Sequence, residues 1–326
     1  MGRKNLYAMV VLTGVVLLLP YLIGNPYYVG VLVFLGIYSL ITIGLCLLIG
    51  YTGQISLGHA AFFGLGAYTS GILSTRFGLS PWLGMVAAIF LTGGVAFVIG
   101  APALKLKGHY LAMATLAFGE IIYIIFNQWI ACTGGPSGFG EIPRFSIGGF
   151  SLESDFSYYY FVWGIVLFVF LASLNLVHSR IGRALRSIRD SEVAARCMGV
   201  NTSSYKLKIF VFSATLAGLA GSLYAHFVTF LSPGSFSVMF SIILLTMVAV
   251  GGMANIWGAI IGTAILTILP EYLRAFEDYD ILIYGSVLLG IMIFLPEGLV
   301  IGIFNILKEK ISSTGALEER TLTAGK

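Results

Sequence analysis

Charge is what this chain lacks most. No Asp, Glu, Lys or Arg occurs from Asn5 to Thr75, a stretch of 71 residues. None lies between Asp155 and Arg180, or between Lys208 and Glu271. Charged residues make up 10% of the chain, where a soluble domain carries about a quarter. That excludes a soluble globular protein, because apolar runs of about 18 residues or more cover the thickness of a bilayer. Cysteine is also scarce. Cys46, Cys132 and Cys197 are far apart and fit neither a disulfide framework nor a metal-binding spacing. His59, His109, His178 and His226 are isolated from one another in sequence, so no metal site is expected. The phosphate loop G-x-x-x-x-G-K-[ST] does not occur, which excludes nucleotide hydrolysis by that route. No set of Ser, His and Asp points to a catalytic pocket, so no enzyme is expected. The first apolar run, Asn5 to Ile23, is followed by no small-x-small cleavage site and reads as a retained helix.

What is present is a polytopic all-α pattern. Hydrophobic residues make up 58% of the chain, and there are 41 glycines, as expected where transmembrane helices approach closely. The charge-free stretches and their breaks predict ten helices, at about 5–23, 28–49, 56–75, 82–101, 109–130, 158–177, 208–230, 237–250, 257–271 and 281–296. The Gly50–Gly58 region reads as a turn or as a broken, re-entrant element. Gly64 and Gly66, and the G-x-x-x-G pair Gly258 and Gly262, read as helix contacts. With the N-terminus cytoplasmic, fifteen of the eighteen Lys/Arg fall inside and only Arg76, Arg144 and Arg274 outside, a bias that sets orientation. The net charge of +4 is thus sorted by side of the membrane and is no footprint for nucleic acid. Five helices precede the 131–157 loop and five follow it, a plan compatible with two inverted five-helix halves. Residues 1–310 form the membrane domain, and 311–326 a polar tail on the cytosolic side with the C-terminus.

One stretch departs from this pattern. Between 178 and 208 lie seven bases (Arg180, Arg183, Arg186, Arg189, Arg196, Lys206, Lys208) and two acids, Asp190 and Glu192. The positive-inside rule puts it in the cytoplasm. Leu185, Ile188, Ala195 and Met198 fall near one face of a helix, and Gly199 is placed as its stop. Asn201 to Ser204 supply caps for the next helix. A solvated anchor accounts for the bases alone. The small patch Val193, Ala194 and Ala195 with Gly199 suits insertion into a groove on another protein.

The motif E-x-A-A-x-x-x-G at Glu192, Ala194, Ala195 and Gly199 resembles the cytosolic loop of ABC-importer permeases. The wider chain resembles one family, the M-type inner-membrane permeases of branched-chain (Leu/Ile/Val) amino-acid ABC importers. The similar stretches are GYTGQISLGHAAFFGLGAY (50–68), LKLKGHYLAMATLAFGEI (104–121), YKLKIFVFSATLAGLAGSLYA (205–225), SPGSFS (232–237) and GGMANIWGAIIGT (251–263). The family loop often has Asn beside the acid, where this chain has Ser191, and Cys197 and Met198 stand where Ala and Leu are usual. Permeases for urea and short amides are similar, so the resemblance is less specific for substrate. It implies a bacterial inner-membrane subunit that pairs with a second, H-type permease. It also implies two ATP-binding subunits, which hold the ATP, and an external substrate-binding protein; this chain would carry no cofactor itself. The segment around Arg189, Asp190, Glu192, Ala194, Ala195, Arg196 and Gly199 would be the coupling helix that ATPase closure moves.

The translocation path has thinner signals. Gln54, Ser56 and His59 follow a glycine-flanked break, where a half-helix N-terminus would favour a carboxylate. The alternative is that they cap the break and bond to neighbouring helices. Glu120 is the one acid deep in a helix and stands as either a pathway group or a bonded structural residue. A stand-alone secondary transporter is the competing class, but coupled carriers bury several ionisable groups, and these helices hold one acid.

Overall fold

The computed structural model describes residues 3–273, apart from 107, 148, 149, 152 and 153, together with a few isolated positions between 285 and 293. The expected helix at 281–296 lies almost wholly, and the polar tail wholly, outside the described residues. The elements are α1 (Arg3–Ile23), α2 (Pro26–Leu45), α3 (His59–Arg76), α4 (Pro81–Ala103), α5 (His109–Gln128), the short α6 (Ile130–Thr133), α7 (Asp155–His178), α8 (Arg180–Asp190), α9 (Glu192–Cys197), α10 (Thr202–Val228), α11 (Val238–Gly251) and α12 (Ile256–Leu273). A π-helical turn, Cys46–Gly50, extends α2. Among the described residues the only strands are Ser146–Ile147 and Phe150–Ser151, paired antiparallel in one loop. The all-α expectation therefore holds. Among the described residues six helices are long and apolar enough to cross a membrane: α2 with its extension, α4, α5, α7, α10 and α12. The Met9–Ile23 stretch of α1 and α11 are apolar but shorter.

Helix starts differ from the sequence expectation where caps override charge. Asn25 accepts a hydrogen bond from the Tyr27 amide at 3.0 Å, and Pro26 takes the first turn, so α2 starts at 26 rather than 28. Asn201 Oδ1 accepts from the Ser204 amide at 3.2 Å, so α10 starts at 202 rather than 208. Its first turns thus carry Lys206 and Lys208, which a partition by charge assigns to the loop.

The core forms around α10. A Cβ on Gly66 would collide with the Gly218 carbonyl, one on Gly221 with the Phe63 carbonyl, and one on Gly218 with the Thr92 side chain. These glycines let α3 and α4 both lie directly on α10, the close approach that small residues permit in membrane bundles. The same device crosses α11 and α12, where Gly251 and Gly258 face each other's backbones and Gly262 faces the Met247 carbonyl. Both glycine pairs read from the sequence as helix contacts are therefore contacts within this chain.

The connections sort into two sets by direct contact. In one, Arg76 Nη1 donates to the Ala131 carbonyl and Trp82 Nε1 to the Ser146 carbonyl. There too Phe139 and Leu231 exchange backbone hydrogen bonds of 2.8 and 2.7 Å. In the other, the end of α2 meets the 252–255 turn and Arg189, and Lys105 faces α9 across a groove of about 630 Å³. No contact in either set joins loops that the charge bias put on opposite sides.

Candidate functional site

The basic segment is an elbow of two helices, which corrects the single helix expected through Arg189 to Gly199. Ser191 breaks it, with extended φ and ψ of −158° and 110°. Its Oγ accepts from the Ala194 amide at 3.3 Å and so caps α9. Ser is among the preferred N-cap residues, about as good as Asn. Gly199, at φ +82°, ends α9, and the Val200 amide returns to the Ala195 carbonyl at 3.0 Å. A positive φ there favours glycine.

The break also redirects the side chains. Leu185, Ile188 and Ala195 are buried within the chain, but Met198 is 83% exposed and Val193 is 70% exposed. Met198 is therefore not on the same face as Leu185, Ile188 and Ala195, with which its spacing groups it. Ala195 belongs to the chain's own packing rather than to a free surface, while Ala194 is exposed. At the α9 end of the elbow the large exposed apolar side chains are Val193 and Met198.

Glu192 clamps α9 to α10. Its carboxylate accepts from Lys206 Nζ and from Arg196 Nη2, each at 2.6 Å, and from Thr202 Oγ1 at 3.3 Å. Burial alone would raise its pKa. The Lys206 hydrogen bond and the charges of Lys206 and Arg196 outweigh that and hold it below the usual carboxylate value. Sequence reasoning placed Glu192 in the site but missed Lys206 as its partner. The two lie fourteen positions apart across a turn, a spacing that carries no periodic signal. Asp190 is exposed at the end of α8.

Arg189, exposed at the end of α8, reaches the end of the α2 extension. Its Nη1 donates to the Gly50 carbonyl at the end of the π-helical turn. Gly50 packs so closely on the Met253 carbonyl that a Cβ there would collide with it, and Cys46 Sγ donates to the same carbonyl at 3.4 Å. The elbow is thereby latched to two chain breaks, the one after Gly50 and the one between α11 and α12. Single-turn π segments recur at functional positions. Nothing in the spacing of Arg189 and Gly50 signals this latch.

The break itself holds Gln54, Ser56 and His59, all buried. His59 shares one hydrogen bond with Ser56 Oγ at 3.2 Å and another with Ser213 Oγ, on α10, at 2.8 Å. Gln54 Oε1 accepts from Thr52 Oγ1 at 3.5 Å. Leu57 N donates to Thr115 Oγ1 on α5 at 3.0 Å. Through His59 the broken segment is tied to α10, and through the Leu57 amide to α5. A second buried histidine, His226, does the same between Ser70 Oγ at 2.7 Å and the Pro143 carbonyl at 2.6 Å. Glu120 is not brought together with Gln54, Ser56 and His59. It is exposed on the outer face of α5.

Comparison with known proteins places this architecture. Residues 27–296 match the family described as branched-chain amino acid transport system / permease component. The chain is 32% identical over 287 residues to the high-affinity branched-chain amino acid transport system permease protein LivM of Escherichia coli (strain K12), covering 81% of this chain and 68% of that one. It is 23% identical to the probable LivM permease of Methanocaldococcus jannaschii, over 83% of this chain and 92% of that one. With LivH of Escherichia coli (strain K12) it shares 25% identity, over 81% and 91%. No solved structure matches it. The chain belongs to the family of permease components of branched-chain amino acid transport systems.

Proposed function

We propose that this chain is one permease subunit of an ATP-binding-cassette importer for branched-chain amino acids. It acts with a second, H-type permease, two ATP-binding subunits that hold the ATP, and a substrate-binding protein on the outer side. It spans the bacterial inner membrane ten times as two inverted five-helix halves, with both termini in the cytoplasm. The Lys/Arg bias and the two contact sets of the loops support that orientation.

The α8–α9 elbow is the seat of the ATPase subunit. The observation that carries this reading is the elbow's geometry. It presents Val193 and Met198 outward and is clamped to α10 through Glu192 and to the α2 break through Arg189. An apolar tip suits a pocket on a partner, and the basic rim with Asp190 and Arg196 orients the encounter more than it adds affinity. Motion of the elbow would pass through both ties into the bundle.

The test is copurification and coupling. The chain, expressed with its neighbouring subunits, should bring ATP-binding subunits with it, and the purified complex should hydrolyse ATP faster with leucine-loaded binding protein. A chain that transports alone, without ATPase subunits, overturns the reading in favour of a secondary carrier.

A further inference from the structure

Helix α5 has two unlike sides. Leu111, Thr115, Phe118, Gly119 and Phe126 are buried against the bundle. The opposite side exposes Met113, Ala117, Glu120, Ile124 and Gln128, one stripe at steps of three and four. Glu120 is the twelfth residue of a twenty-residue helix. At a rise of about 1.5 Å per residue it lies roughly 17 Å from one end and 12 Å from the other, near the middle of the bilayer. Among the described residues it makes no hydrogen bond and no ion pair, so the bonded structural role is not the one it plays within this chain. Lipid is a poor neighbour for such a group, because intramembrane carboxylates face protein interiors or water-filled cavities.

The surroundings of the stripe are mixed. Gly119 would place a Cβ 3.8 Å from Val238, and the Phe126 and Phe236 rings lie 6.0 Å apart, so the Pro233–Phe236 turn and the start of α11 lie beside α5. That turn adds the partly exposed Ser235 and Ser237, while Met113, Ile121 and Ile124 give apolar surface around the carboxylate.

We propose that the Glu120 stripe is one wall of a water-filled route closed by the second permease, and that its carboxylate receives the ammonium group of a passing aliphatic amino acid. The anion meets the ammonium and the apolar flanks meet the side chain. The proposal rests on the importer reading above and names the substrate contact within it.

The experiment uses the assembled importer in membrane vesicles, with Cys132 and Cys197 replaced by Ser and the buried Cys46 kept. A thiol is introduced by Ile124→Cys, one turn from Glu120. It is treated with cationic methanethiosulfonate ethylammonium and anionic methanethiosulfonate ethylsulfonate. Both should react, with a cation-to-anion rate ratio about tenfold above that of a free thiol in water, and leucine-loaded binding protein should slow the reaction. Adding Glu120→Gln should return the ratio to the free-thiol value. Glu120→Gln alone should lower leucine uptake at least tenfold with ATPase subunits still copurifying, and Glu120→Asp should keep part of it. A thiol closed to both reagents faces lipid and overturns the proposal, even where the Gln variant does not assemble. A ratio unmoved by Glu120→Gln, or full uptake in that variant, also overturns it. Failure of the importer reading would show separately, as an unmodified chain that copurifies with no ATPase subunit.

Discussion

Met198 offers the sharpest test of the elbow. Its side chain is 83% exposed, at the end of α9, although its spacing groups it with Leu185, Ile188 and Ala195 on one helix face. Fully burying a Met side chain stabilises by about 1.5–3 kcal/mol. Truncation to Ala keeps a small part of that area, so a docked Met198 loses roughly 1.5–2 kcal/mol on Met198→Ala. At about 1.4 kcal/mol per tenfold, ATPase-subunit affinity should fall about 10- to 30-fold. The permease itself should not notice, because exposed substitutions usually stay within about 0.5 kcal/mol. The assay is titration of purified ATPase subunits onto the permease pair in lipid nanodiscs, read by binding and by ATP hydrolysis stimulated by loaded binding protein. Thermal unfolding of the permease pair alone gives the control. Ala195→Trp provides the contrast. Ala195 is only 3% exposed, so the indole must enter the chain's own packing and should cost about 1–3 kcal/mol of permease stability before any partner is added. Unchanged affinity and stimulation in Met198→Ala would refute the assignment of the elbow tip to a partner groove.

Arg189→Ala removes a charged donor from the Gly50 carbonyl, a bond of about 1.5–3 kcal/mol; ATPase subunits should still bind, but stimulation by loaded binding protein should drop, and normal stimulation would break the latch argument. The Glu192 clamp has a defined pH sense: a carboxylate with a depressed folded pKa stabilises above its unfolded pKa of about 4.3 and loses that contribution as pH falls through the lower folded value. Protease protection of the 198–202 turn should therefore be flat from pH 8 to 5 and fall only in stronger acid, and Glu192→Gln should lower it at neutral pH. Gly218→Ala drives a methyl into Thr92 at the α4–α10 contact and should cost about 1–3 kcal/mol of thermal stability in detergent, whereas Gly94→Ala, with open space around it, should be close to neutral.

Much of this protein is set by composition and pattern. Charge-free runs longer than a bilayer is thick admit little but membrane helices, so the helical class and nearly all the described helix positions follow from the sequence. The Lys/Arg asymmetry sorts the loops, and a few motifs carry the family. The position of the elbow is legible for the same reason, since a basic stretch amid apolar runs has nowhere to sit but outside the membrane. Its shape is not. Ser191 reads as one more position inside a single helix, and only the hydrogen bond its Oγ accepts from the Ala194 amide marks where one helix becomes two, with Met198 outward and Ala195 inward. The pairings of Glu192 with Lys206, Arg189 with Gly50, and His59 with Ser213 join residues 14, 139 and 154 positions apart or on separate helices. Side-chain periodicity reports which face of one helix is apolar, never which neighbour that face meets. Glu120 shows the limit most plainly: its depth is written in the sequence, but whether it points into the bundle or away from it depends on how α5 rotates against α3 and α11. Close packing settles that rotation, as where Gly58 lies against the Thr115 carbonyl, and it acts only once the helices are assembled.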